Sequence, residues 1–229
     1  MKRFWKVAEV VEDGGFGIAL DGRTLKTPAK ADLSLPTRRL AEAIAEEWRA
    51  AEETIDLRAM PLTGLANAAI DRVAPDSEAF AQGLARYGET DLLCYRAGTP
   101  ADLAERQESA WGQLLDWARR RYDIDFAVTA GILHQPQPRA TVERLGLAVA
   151  ALDSFRLAGL APLVTTGGSL VAALAVLEGA AAADEVWAAV SLDEQWQLEK
   201  WGADAEAVAA LAGRRRDFMA AARFLDLLG

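Results

Sequence analysis

A change of hydrophobic period near Pro36 constrains the fold of this chain more than any other feature. Up to that point the segments read as strands: FWKVAEVVED from Phe4, a Gly14-Gly15 break, FGIALDG, RTLKTP and DLSLP. These segments are strand-like in composition and punctuation, and a small antiparallel sheet is expected from them. Asp21-Gly22, between IAL and RTLK, offers two positions that tolerate positive φ, so a two-residue hairpin is expected there. After Pro36 the period changes, and Leu40, Ala43, Ile44, Glu47 and Trp48 follow helical spacing with Thr37 as the cap. The expected class is α+β: a small N-terminal antiparallel β-containing domain over residues 1–60, followed by a C-terminal orthogonal helical bundle over 61–229.

Punctuation residues divide the helical part. Pro61 sits in the first turn of a helix through LTGLANAAIDRV. Further helices are expected over Pro75–Tyr87, Ala101–Tyr122, Ala140–Ala158, Ser169–Glu178, Ala183–Lys200 and Asp204–Leu228. Pro162, Gly167-Gly168, Gly179 and Gly202 mark boundaries. TDLLCYRAG is ambiguous, FAVTAGI reads as a short strand or a loop, and His134–Pro138 reads as a connector.

Composition narrows the function classes. With 229 residues, 52% of them hydrophobic, the chain can bury a sizeable core. A net charge of −9 opposes sequence-independent binding to nucleic acid or anionic lipid. Cys94 is the only cysteine and His134 the only histidine. An internal disulfide is therefore excluded, and neither residue has a neighbouring metal or nucleophile signature. The apolar run Leu170–Leu177 falls far short of the roughly 20 residues of a membrane span. No apolar signal core follows the basic start, so a soluble, untargeted protein is expected.

The stretch with most chemical character is Trp187 to Gly202, WAAVSLDEQWQLEKWG. Trp187, Val190, Glu194, Leu198 and Trp201 recur at steps of three and four, which would place them on one helical face. A carboxylate on a tryptophan face is either held by an Arg of a neighbouring helix or offered to something outside the chain. Elsewhere, TTGGS at Thr165–Ser169 precedes a helix and could present N–H groups to phosphate, but no Lys follows it, and a turn capped by Ser169 accounts for it. Gly14, Gly15 and Gly17 read as a hairpin turn. Arg119–Arg121 and Arg214–Arg216 read as solvated helix faces, or as pairs for an acidic protein partner. Glu46-Glu47, Glu52-Glu53 and Asp193-Glu194 occur in ordinary helical charge contexts, so no catalytic pair stands out.

Eight strings in order resemble one family, the assembly chaperones for the alpha subunit of the catalytic head of the F-type ATP synthase. They are RFWK at Arg3, LDGRTLKTPAK at Leu20, LSLP at Leu33, EEW at Glu46, MPLTGLANAAID at Met60, TDLLCYRA at Thr90, WGQLLDW at Trp111 and EQWQLEKWG at Glu194. The resemblance implies a non-enzymatic chaperone that binds unassembled alpha subunit, with no cofactor, metal or catalytic residue. It also implies no nucleic acid partner and no membrane insertion, and a location in the bacterial cytoplasm or, for a processed organellar form, the mitochondrial matrix. The family has an important Glu near the Q-x-x-x-W-G string formed here by Gln197, Trp201 and Gly202; Glu194 is matched to it, with Glu199 the competing register. The implied partner-binding residues are Glu194, Trp187, Gln197 and Trp201. The other class kept open is a small-molecule enzyme with a cleft between the β-containing and helical parts, for which TTGGS and scattered carboxylates are the support.

Overall fold

The computed structural model describes residues 2–12, 14–131, 133–202 and 204–229. Met1, Asp13 at the end of FWKVAEVVED and Ile132 at the end of FAVTAGI lie outside them. The chain groups into two compact units, the first made of Met1–Ser77, Asp153–Gly159 and Arg223–Gly229, the second of Glu78–Leu152 and Leu160–Ala222. The expected division at residue 60 is drawn along the sequence, whereas these units follow proximity in space.

In the first unit, strands β1 (Ala8–Glu12), β2 (Phe16–Leu20) and β3 (Arg23–Thr24) form an antiparallel sheet in that order, with Val10 opposite Ile18. The β2–β3 turn is the expected one: Asp21 and Gly22 have φ of 48° and 79°, the mirror-image geometry that matches strand twist. The Asp21 carboxylate also accepts from the Val7 and Lys6 amides, and these hydrogen bonds hold it below the usual carboxylate range. Helix α1 (Arg38–Ala50) is capped as expected, with Thr37 Oγ1 accepting from the Leu40 amide at 3.2 Å. Leu40 and Ile44 of α1 are fully buried, as are Ile18 of β2 and Leu35. Pro61 opens helix α2 (Pro61–Ala68). No side chain of its own caps that end; Glu47 of α1 reaches across, accepting from the Leu62 amide, the Thr63 amide and the Thr63 hydroxyl at 2.7–2.8 Å. Asp71 accepts from Thr27 Oγ1 at 2.7 Å and the Ala29 amide at 3.0 Å, which joins the MPLTGLANAAID and LDGRTLKTPAK strings in space.

The second unit is built on α4 (Ala101–Tyr122), whose buried residues Leu103, Gln107, Trp111, Leu114, Leu115 and Ala118 hold helical spacing. Helix α3 (Ser77–Ala85) leads into it. TDLLCYRAG resolves into a short 3₁₀ turn and β4 (Tyr95–Arg96), which pairs in parallel with β5 (Thr129–Ala130) from FAVTAGI. Then follow α5 (Arg139–Ala150), α6 (Ser154–Gly167), which enters this unit at Leu160, α7 (Leu170–Leu177), α8 (Ala183–Val190), α9 (Leu192–Trp201) and α10 (Ala205–Asp226), which leaves it after Ala222. Leu170–Ala175 of α7 are buried all round, so this helix is interior.

Two boundaries differ from expectation. The helix expected over Ala140–Ala158 is two helices, because Asp153 accepts from the Phe155 and Arg156 amides at 2.9 Å and starts α6 afresh. Pro162, expected to end a helix, lies inside α6. An interior proline costs about 3 kcal/mol; Leu160, Leu163 and Val164 around it are buried to within 1%, and burying each such side chain returns about 1.5–3 kcal/mol.

Candidate functional site

Ser191 decides the geometry of the tryptophan stretch. The spacing predicts one helix from Ala183 to Lys200 with Trp187, Val190, Glu194, Leu198 and Trp201 on a common face; the chain turns instead at Ser191, with φ −100° and ψ 11°, between α8 and α9. The Trp187 carbonyl keeps its helical bond from the Ser191 amide at 3.0 Å, but the ladder is interrupted beyond it. Ser191 Oγ donates to the Trp187 carbonyl at 2.6 Å, and Trp111 Nε1 donates to the Ala189 carbonyl at 2.7 Å. In an unbroken helix that second carbonyl would accept from the amide four residues on.

The break separates the two outer indoles. Trp187 is 5% exposed and packs on Phe218 of α10 with ring centroids 5.5 Å apart. Trp201 is 75% exposed. The buried indole of α9 is Trp196, which a single helical period carried through Ser191 leaves off the tryptophan face. Trp196 Nε1 donates to Asp102 Oδ2 at 3.3 Å, and Lys200 Nζ lies 2.9 Å from the same oxygen and 5.5 Å from the Trp196 ring centre. Hydrogen bonds from Lys200, then from Trp196, hold the Asp102 carboxyl below its ordinary range. Trp201 packs on Trp196 in a T-shaped contact with ring centroids 5.8 Å apart, so the exposed indole is steadied by the buried one.

Glu194, Gln197 and Trp201 fall at steps of three and four within α9 and so share one side of it. Glu194 Oε1 accepts from Arg214 Nη2 of α10 at 2.7 Å. In the competing register, Glu199 accepts from Arg106 Nη1 of α4 at 2.8 Å. Gln107 Nε2, buried on α4, donates to Asp193 Oδ1 at 2.7 Å. Arg215 of α10 pairs with Asp184 of α8 at 2.5 Å. Arg214 and Arg215, expected to be solvated or reserved for an outside partner, are thus tied to α9 and α8; the triple-Arg string was the signal, but it does not name the acids that meet it. Beyond these ties α10 stands clear: among the described residues from Gly202 to Asp217, none is buried.

The other candidates resolve locally. Gly167 ends α6, Gly168 adopts φ 66°, and Ser169 Oγ accepts from the Ala172 amide at 2.9 Å, the cap expected of TTGGS. The fully buried Asp91 takes the Val171 amide at 3.0 Å. The N-terminus of α7 therefore already holds a carboxylate of the same chain. Burial pushes Asp91 up to about 6 against the pull of those hydrogen bonds. Cys94 is fully buried, and burial with the nearby Asp91 charge pushes its thiol up to about 12, far from a reactive thiolate. His134 is exposed, with Nδ1 3.1 Å from the Tyr95 hydroxyl. Among the described residues no cluster of His, Cys, Asp and Glu could hold a metal ion, and no helix is long and apolar enough to cross a membrane.

Comparison with known proteins gives concordant results. The family model described as ATP12 chaperone protein matches residues 2–119. The mitochondrial protein atp12 of Schizosaccharomyces pombe is 29% identical over 214 residues, covering 88% of this chain and 74% of that protein. The crystal structure of Atp12 from Paracoccus denitrificans superposes with a TM-score of 0.95 at 44% identity, over 100% of this chain and 98% of that one. A solved protein from Agrobacterium tumefaciens superposes with a TM-score of 0.94 at 39% identity, over 100% of this chain and 86% of that one.

Proposed function

The chain belongs to the ATP12 chaperone family, and on that ground we propose that it holds the unassembled alpha subunit of the F-type ATP synthase until the catalytic head is assembled. The assembly-chaperone role follows from the family; the alpha subunit as client, and action by binding and not by catalysis, are our reading. An orphan subunit exposes the apolar interface it would bury on assembly, and that surface drives aggregation unless covered. The observation that carries the reading is Trp201, a large indole three-quarters exposed yet steadied against Trp196 at the end of α9. Tryptophan, with tyrosine and arginine, is enriched among the few residues that carry most of the binding energy of a protein interface.

Glu194, Gln197 and Trp201 are proposed to face the client, and Trp187 to hold that surface in shape from inside through Phe218. The bacterial cytoplasm or the mitochondrial matrix, where alpha subunit is made or imported, is the proposed place of action. Dilution of denatured alpha subunit into buffer, followed by light scattering, tests the client. Stoichiometric suppression of aggregation for alpha, with none for beta subunit or for an unrelated apolar protein, is the expected result; equal suppression of all three would replace client recognition with a general holding activity.

A further inference from the structure

The first half of α10 has an unusual environment for a helix of this composition. Ala205–Gly213 reads AEAVAALAG, yet none of these residues is buried; Val208 is 43% exposed, and Trp201, seven residues before it in the chain, is 75% exposed. A helix with so little charge ordinarily lies in a core. Here it is held by ion pairs placed one after the other at its midpoint, Arg214 to Glu194 and Arg215 to Asp184, while apolar packing begins only at Phe218. The arm is thus positioned without being covered.

We infer that the exposed Trp201 and Val208, with the uncovered face of α10, are the surface on which the client docks, and that it takes an apolar patch of the client rimmed by basic side chains. This inference rests on the chaperone reading above. Charge selects the occupant. Asp204 and Glu206 are exposed at this end of α10, and Glu206 has no ion-pair partner among the described residues, while the nearby Lys200 is engaged by Asp102. A second copy of the chain would bring a further net charge of −9 and the same acidic corner, whereas a Lys/Arg-rimmed surface would be attracted and set in register.

The test is co-expression of the full-length chain with its cognate alpha subunit, scored as soluble alpha recovered on the tagged chain, together with light-scattering masses and thermal melts of the chain alone. Trp201→Ala and Val208→Asp are expected to lower recovery at least tenfold, and Glu206→Lys severalfold, with melting temperatures close to wild type. Leu147→Ser, at another exposed apolar side chain of the same unit, should stay within twofold. Wild-type recovery with unchanged recovery by Val208→Asp overturns the surface and leaves the chaperone reading standing. No recovery by wild type overturns that reading, and this inference with it. A wild-type dimer that Val208→Asp converts to monomer assigns the face to a second copy and overturns the client as occupant.

Discussion

Glu194 Oε1 lies 2.7 Å from Arg214 Nη2, and this pair links α9, which carries the exposed Trp201, to the uncovered arm of α10. Both side chains are more than a third exposed, so the pair contributes little to stability, about 0–1 kcal/mol. Its effect lies in orientation. Glu194→Gln should shift the melting temperature by no more than about 3 °C while weakening recovery of alpha subunit severalfold. Parallel melts and binding titrations showing equal loss of both would make Glu194 a structural residue, and a double-mutant cycle with Arg214→Gln reads the coupling directly.

Glu47 is expected to matter for folding and not for the client. It satisfies the first amides of α2 from a half-buried position, where burial raises its carboxyl above the ordinary range. Glu47→Ala leaves two amides and a hydroxyl without their acceptor and should cost about 1–3 kcal/mol, measured by urea unfolding. A change under 0.5 kcal/mol would mean that water replaces the carboxylate.

Much of this is legible in the sequence, and the reason differs by element. Asp21-Gly22, Thr37, Pro61 and Ser169 act through their own backbone geometry or through amides two or three residues away, so local sequence reports them. Ser191 does not. Its neighbour Ala189 gives its carbonyl to Trp111, a residue 78 positions away, and no periodicity argument reaches that far. The same holds for the acids that meet Arg214 and Arg215, and for Glu47 capping a helix other than its own. Trp187 and Trp201 look equivalent in spacing, yet one is core and the other surface; the sorting is tertiary.

Asp91 predicts a pH signature. Its carboxyl ionises near 3.8 when unfolded and at about 6 when folded, because burial disfavours the charge. A raised value means that its stabilising contribution is fully present below about 3.8 and is lost as pH rises through about 6; the whole effect is on the order of 3 kcal/mol. The stability of wild type minus that of Asp91→Asn should therefore fall from pH 4 to pH 7. A difference that grows with pH would show that the amides of α7 favour the carboxylate more than burial opposes it.

Gly159 tests the packing of the C-terminal residues in the first unit. A Cβ added there would sit 2.6 Å from Leu225 Cδ2 and 3.0 Å from Phe224 Cδ1. Helix propensity favours Ala over Gly by about 1 kcal/mol, but overpacking costs about 1–3 kcal/mol. Gly159→Ala should therefore destabilise the protein or at best break even in chemical unfolding. Stabilisation would mean that Leu225 moves aside freely.

The central claim is that this chain keeps alpha subunit soluble by binding it. Co-expression of the two, followed by size-exclusion chromatography with beta subunit in a parallel culture, measures this most directly. A co-eluting complex with alpha and none with beta is the expected result. Alpha subunit that stays insoluble, or that elutes apart from the chain, would contradict it.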